Sequence, residues 1–382
     1  MENKRRDFIR KTASLATAVS LGAVPAIASG LISSHKKEET VNGYVKDAGM
    51  EMSEAYFWGM EERKIALVKQ MDVFGAVTGI NPRLVSADTQ PWDPKAIVAT
   101  KEAWAKAGLK FNVVEGPASL GNKTKLGLAG RDEEIANFIT YMKNLKQYSG
   151  VDVICYNWMP AIGWYRTKKD SPGRGGALVT AFDYEEVKNA PLTEYGVVSK
   201  EKLWETLTYF LKAVMPEAEK IGMKLAMHPD DPQVDSIKGI SRIMTSVENF
   251  KRMTDIYPSK YNGITMCQGN FSLMGVDIPT TVKYFGKKGL IHFVHFRNVQ
   301  DLSGNKPSTK FTETFHDEGQ IDMYAAMKAY YDIGFKGPIR PDHVPTMAGD
   351  SNDKAGYSTI GTLFAFGYIR GLMEAVSKEK RK

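Results

Sequence analysis

The stretch Leu225-Ala-Met-His-Pro-Asp-Asp231 constrains this chain most. A short apolar run ending in His-Pro-Asp-Asp predicts a buried strand whose last side chains emerge as a polar cluster. Proline cannot donate to a sheet ladder, so the strand stops at His228. Three later stretches share the form: Gly263-Ile-Thr-Met-Cys267, Ile291-His-Phe-Val-His295 and Pro338-Ile-Arg-Pro-Asp-His343. Each delivers a soft or borderline metal ligand at its C-terminal end. Parallel strands that open into one mouth, as at the C-terminal face of a barrel, satisfy all four.

The rest of the chain alternates strand and helix patterns with a period of about 30 to 40 residues, as parallel βα units do. Strands are expected at Tyr56–Met60, Val73–Thr78, Phe111–Glu115 and Val151–Tyr156, ahead of the four above. Helices are expected at Glu61–Met71, Pro94–Ala107, Asp132–Asn144, Lys200–Ile221, Val247–Tyr257, Thr280–Lys287, Asp322–Ile333 and Thr359–Val376. Phe311–His316 also alternates like a strand, but with eight positions already filled it reads as a local extension. The 382 residues suit one α/β barrel with insertions, since such barrels run from about 200 to more than 400 residues. The expected fold is therefore a single-domain (β/α)8 TIM barrel over residues 51–382. Neither Gly-x-Gly-x-x-Gly nor a phosphate-loop sequence occurs, so nucleotide binding has no support.

Residues 1–28 are best excluded from that fold. Lys4-Arg5-Arg6-Asp7-Phe8-Ile9-Arg10-Lys11 has the twin-arginine form, and an Ala-rich apolar stretch follows it to the small-residue site Ala26-Ile27-Ala28. This predicts a signal read by the twin-arginine export machinery, a periplasmic or otherwise exported protein, and a linker over residues 29–50. The same segment carries five basic and two acidic side chains, so +4 of the +7 net charge belongs to the remainder. No basic stripe interleaved with aromatics appears, which argues against a nucleic-acid partner and leaves a mild bias toward a small acidic substrate. Only Cys155 and Cys267 are present. They offer no disulfide framework, and Cys267 reads as a thiolate ligand with Cys155 a buried small residue.

His228, Cys267, His295 and Asp342 make a mixed nitrogen, sulfur and oxygen donor set that suits zinc, manganese, iron or cobalt. His292 and His295 are three apart and face opposite sides of an extended strand, and His295 lies nearer the mouth. By the same alternation, if Asp342 faces the metal then His343 is turned out of that direction, either toward the substrate at the mouth or away. At the mouth it could take or give a proton near neutral pH. Tyr357, after a flexible Gly-Asp-Ser-Asn-Asp loop, can fold back as a second proton carrier or simply pack in the core. Arg297 at a strand end is the candidate for holding a substrate carboxylate, with Asn157 and Arg166 as weaker ones.

With these motifs in order from about residue 55 onward, the chain resembles the D-mannonate dehydratase family of xylose-isomerase-like barrels. The resemblance rests on Lys125-Leu-Gly-Leu-Ala-Gly-Arg-Asp132, Cys155-Tyr-Asn-Trp-Met-Pro160 with Trp164 and Arg166-Thr167, the His228 and Cys267 segments, and Ile291-His-Phe-Val-His-Phe-Arg-Asn298. Phe315-His316, Asp322-Met-Tyr324 and the Asp342-His343 segment complete it. It implies that His228, Cys267, His295 and Asp342 bind manganese(II), that His343 and Tyr357 carry the proton transfers, and that water is eliminated from a sugar acid. Iron, cobalt or zinc in place of manganese, and a homo-oligomer, stay open. The substrate-facing loops depart from the family pattern. Gly79-Ile-Asn-Pro-Arg83 replaces a His-rich stretch, and Pro117-Ala-Ser-Leu-Gly-Asn122 replaces a His-Glu pair. Gly163 and Val344 stand where the family has Asp and Gly. A sugar isomerase or epimerase on the same scaffold, and an exported carbohydrate-binding barrel without turnover, are the competing readings.

Overall fold

A computed structural model describes residues 43–381, so the expected export signal and most of the linker lie outside the described residues. The linker's last part is a helix, Gly43–Ala48, whose Val45 and Ala48 are buried together with Met50. Among the described residues no helix is long and apolar enough to cross a membrane.

Eight parallel strands close a barrel, each beside the next in the chain. In chain order they are β1 (Glu51–Ala55), β2 (Gly75–Thr78), β3 (Lys110–Glu115) and β4 (Val153–Tyr156), then β7 (Lys224–Met227), β10 (Asn262–Cys267), β11 (Ile291–His295) and β14 (Pro338–Arg340). Strand β14 pairs with β1 and closes the ring. Val77, Val113, Val153, Cys155, Ala226 and Phe293 pack together as one apolar cluster contributed by five of these strands. The helix Lys200–Ile221 occupies the predicted residues, and the other seven predicted helices form within three or four residues of their expected ends.

The first strand is displaced. It was expected at Tyr56–Met60 but spans Glu51–Ala55, whose Ser53 and Glu54 look too polar for a barrel wall. Both are buried with partners: Asn112 Nδ2 donates to Ser53 Oγ at 2.8 Å, and Lys64 Nζ lies 2.5 Å from the Glu54 carboxylate. A paired polar residue costs little in the wall, and the aromatic run after it is released to the rim.

Two further strand pairs were not anticipated. In the loop after β4, β5 (Lys168–Pro172) and β6 (Leu178–Asp183) form a hairpin. β12 (Val299–Asp301) and β13 (Lys310–Glu313) extend it to a four-stranded antiparallel sheet. The stretch at Phe311–His316 is thus an inserted-sheet strand rather than an extension of the barrel. A small core of its own, including Phe182, Phe311, Val299 and Leu273, holds this sheet. A short two-stranded ribbon, β8 (Ser236–Ile237) and β9 (Ile240–Ser241), completes the strands.

Gly263 shows how tightly the wall is built. A Cβ there would lie 2.3 Å from the Leu290 carbonyl oxygen and 2.4 Å from His292 Nε2. Since neither backbone nor a buried ring can yield cheaply, Gly263→Ala is expected to destabilise the protein by about 1–3 kcal/mol, read by denaturant unfolding. His292 itself faces away from His295, as the strand period requires. Burial and Lys224 push its imidazole down to about 3.

Candidate active site

The strand ends bring the expected donors together. Cys267 and His295 close β10 and β11 as register partners, and His295 is paired in turn with Arg340 of β14. Ligand atoms of His228, Cys267 and His295 all lie within 4.8 Å of one another. His228 Nε2 is 3.1 Å from His295 Nδ1. Asp342 Oδ2 lies 3.6 Å from that same Nδ1 and 3.6 Å from Cys267 Sγ.

Of the two directions left for His343, the structure shows the one toward the mouth, where it lines a cavity together with Asp342. The strand ends at Arg340, and Asp342 takes a left-handed conformation with φ of 67°. That kink turns both side chains toward one cavity of about 250 Å³, which Glu115, Asn157, Trp164, His228, Arg340 and Tyr357 also line. Of the two readings of Tyr357, the structure shows it folded back over the cavity, its ring 5.3 Å from that of His343. Burial, reinforced by Asp342, pushes its phenol up, so the hydroxyl stays protonated across neutral pH.

Beside the donors lies a buried charge network. Arg297 Nε is 3.0 Å from Asp342 Oδ2, and its Nη2 is 3.0 Å from Asp231 Oδ2. Its Nη1 bonds to Glu313. Arg166 makes a two-pronged pair with Asp231 at 2.5 and 3.0 Å and reaches Glu313 at 2.6 Å. Burial alone would raise the Glu313 carboxyl, but Arg297, His343 and Arg166 outweigh it and hold it at about 2. Both guanidiniums are fully buried, and neither lines the cavity. Their expected place on a substrate carboxylate is therefore corrected: β13 of the unforeseen sheet supplies Glu313, which ties both of them up behind the wall.

Asn157 does face the cavity. Its Oδ1 accepts from Lys125 Nζ at 3.0 Å and from the Met159 backbone N–H at 3.1 Å, which leaves its NH₂ group to donate to a ligand. Trp164 Nε1 is a second buried donor without a protein partner.

Residues 50–195 and 188–382 match the sequence profile of D-mannonate dehydratase (UxuA). The mannonate dehydratase of Thermotoga maritima is 34% identical to this chain, covering 87% of it and 99% of the relative. The chain belongs to the D-mannonate dehydratase family. The Streptococcus agalactiae mannonate dehydratase is 36% identical across 86% of this chain and 99% of its own. The crystal structure of mannonate dehydratase from Streptococcus suis superposes with a TM-score of 0.77 at 31% identity, covering 87% of this chain and 95% of that one. A D-tagatose 3-epimerase-like protein, at a TM-score of 0.54 and 14% identity, shares the barrel alone over 87% of this chain and all of its own.

The donor set fits the divalent ion that membership of the D-mannonate dehydratase family implies. Neighbouring donors 3.1–3.6 Å apart are spaced as ligands are when each lies about 2.0–2.3 Å from a shared ion. His228 Nδ1 donates to the Pro229 carbonyl at 2.7 Å, which leaves Nε2 bare. Glu115 Oε1 stands 3.4 Å from His295 Nε2, the carboxylate that commonly orients a ligating imidazole. Burial and Arg340 oppose a charge on that ring, but Asp342 and Glu115 prevail and raise it to about 9 in the absence of an ion.

Glu115 and Arg340, which sequence reasoning did not single out, also line the candidate site. Arg340 is clamped by Glu115 at 3.1 and 2.9 Å and reaches Asp342 Oδ1 at 2.9 Å. The signal was present: Glu115 ends an apolar strand just as the recognised donors do.

Proposed function

We propose that the chain is an exported hydro-lyase acting on a sugar acid, most simply D-mannonate to 2-keto-3-deoxy-D-gluconate, with manganese(II) held by His228, Cys267, His295 and Asp342. One observation carries the proposal: two imidazoles, a thiol and a carboxylate converge beside a cavity that His343 and Tyr357 also line. Family membership supports a sugar-acid dehydratase, and the matched relatives bear the name mannonate dehydratase. The twin-arginine form of residues 1–28 supports export to the periplasm.

When bound, the ion supplies the Lewis acidity that makes the proton next to the carboxylate removable. His343, which lines the cavity, carries the transfer of that C2 proton. Its Nδ1 lies 2.5 Å from Arg297 Nη1, a group that can only donate, and 3.2 Å from the Glu313 carboxylate. Tyr357, protonated at neutral pH, gives its proton to the C3 hydroxyl, which leaves as water. The enol that remains tautomerises to the 2-keto-3-deoxy acid. Asn157 holds a substrate oxygen through its NH₂ group.

The test follows 2-keto-3-deoxy acid formation from a panel of hexonates and pentonates, with protein stripped by chelator and then reloaded with manganese. Reloading should restore turnover, and Tyr357→Phe should lower kcat by about 10²–10⁴-fold, the usual worth of a positioned acid. A Tyr357→Phe variant that keeps full kcat removes the tyrosine from the chemistry. Product from no acid, with aldose or ketose interconversion instead, replaces the dehydratase by an isomerase.

A further inference from the structure

Tyr357 is shared by two cavities. One is the site described above; the other, also of about 250 Å³, is lined by Glu61, Arg63, Asp350, Asp353 and Lys354 on Tyr357's other side. Phe57 and Trp58, the aromatic residues released to the rim when β1 ended early, stand against Tyr357 with ring centroids 5.5 and 5.3 Å away. Trp58 is 52% exposed, and Lys354 Nζ sits 5.4 Å from the centre of its ring.

We propose that this second cavity is a sugar subsite, and that the substrate is a sugar acid carrying one further glycosyl unit on the end remote from its carboxylate. The proposal rests on the dehydratase reading and deepens it. Elimination across C2 and C3 requires the carboxylate end at the donor cluster, where Cys267 and His295 are fully buried. The far end of the chain then points to the mouth, toward Phe57, Tyr357 and Trp58. Phe57 and Trp58 present adjacent aromatic faces to solvent, and a pyranose offers an apolar C–H face to cover them.

The rim chemistry selects a neutral partner. Its two cations are each paired, Lys354 with Glu61 at 2.8 Å and Arg63 with Asp350 at 3.3 Å, and Asp353 adds a third carboxylate. Such a mixed set offers donors and acceptors to hydroxyls but no net positive charge for a second anion.

The experiment compares kcat/KM for mannonate and for mannobionate, a mannonate bearing one mannosyl unit at O4 or O6, in the manganese-loaded full chain and in Trp58→Ala and Trp58→Phe. Mannobionate is expected to be preferred at least tenfold. Trp58→Ala should erase most of that preference through KM, while Trp58→Phe, which keeps an aromatic face, should restore part of it. Turnover of mannonate with no preference for mannobionate overturns the subsite and leaves the dehydratase standing; turnover of neither overturns both. A dimer in light scattering that Trp58→Ala dissociates overturns the subsite too, because a second copy of the chain would then be what covers Trp58.

Discussion

Cys267→Ala is expected to yield a folded protein that no longer retains its metal and has lost on the order of 10³-fold in kcat/KM. The thiol ends β10 in full burial. Its sulfur is 3.6 Å from Asp342 Oδ2 and 2.7 Å from Asn270 Oδ1, an oxygen that Arg297 also holds. Alanine removes one donor of four and leaves the remaining three with a gap on one side. The fold should tolerate the change, since a single sulfur is lost from a polar cluster and not from the packed barrel interior. Elemental analysis, product formation and thermal unfolding on one preparation separate the possibilities. Stoichiometric metal with undiminished turnover would remove Cys267 from the site, and a collapsed melting transition would make its role structural. Cys267→Ser, which offers a harder oxygen, should recover part of the metal binding when manganese is in excess.

How much of this was legible in the sequence follows from which physical signals are local. The barrel was readable because each strand must bury itself between helices and end at the mouth, a pattern that survives in one short window such as Leu225–Asp231. The convergence of His228, Cys267 and His295 was readable for the same reason. Three failures share a different cause, namely partners distant in sequence. Glu51–Ala55 looked too polar for a strand because Asn112 and Lys64, which satisfy Ser53 and Glu54, are not its neighbours in the chain. The inserted sheet joins residues 168–183 to residues 299–313, and no local periodicity reports such a pairing. Arg297 looked like a substrate clamp because nothing around it in sequence reveals Glu313 and Asp231. Which of its two directions His343 takes was not legible because one left-handed residue, Asp342, resets the alternation, and Asp is among the few side chains that adopt that conformation readily.

Arg297→Met should cost stability rather than substrate affinity, and the loss should be about 3–5 kcal/mol at neutral pH. The guanidinium is fully buried and contacts three carboxylates, those of Asp231, Glu313 and Asp342. Methionine fills much of the volume but leaves those charges with only Arg166 and Arg340 to oppose them. Arg297→Lys should fare only somewhat better, because one ammonium cannot span a set that a planar fork reaches from three nitrogens. The pH dependence has a definite sign. In the native protein Glu313 is held below its ordinary 4.5, at about 2. Its pairing therefore stabilises the fold fully above the ordinary value, and that stabilisation fades as pH falls toward the lowered one. Without Arg297, burial regains weight and Glu313 takes up a proton more readily, which relieves the variant. The stability gap between wild type and variant should narrow as the pH is lowered from 7 toward 4.5, as measured by denaturant unfolding at both. An unchanged unfolding midpoint together with a raised KM and an intact kcat would instead return Arg297 to the substrate carboxylate. Asp342 links the two variants. Arg297 holds the same oxygen that lies beside Cys267 and His295, so Arg297→Met should also weaken metal retention, and more gently than Cys267→Ala because every donor atom is still present.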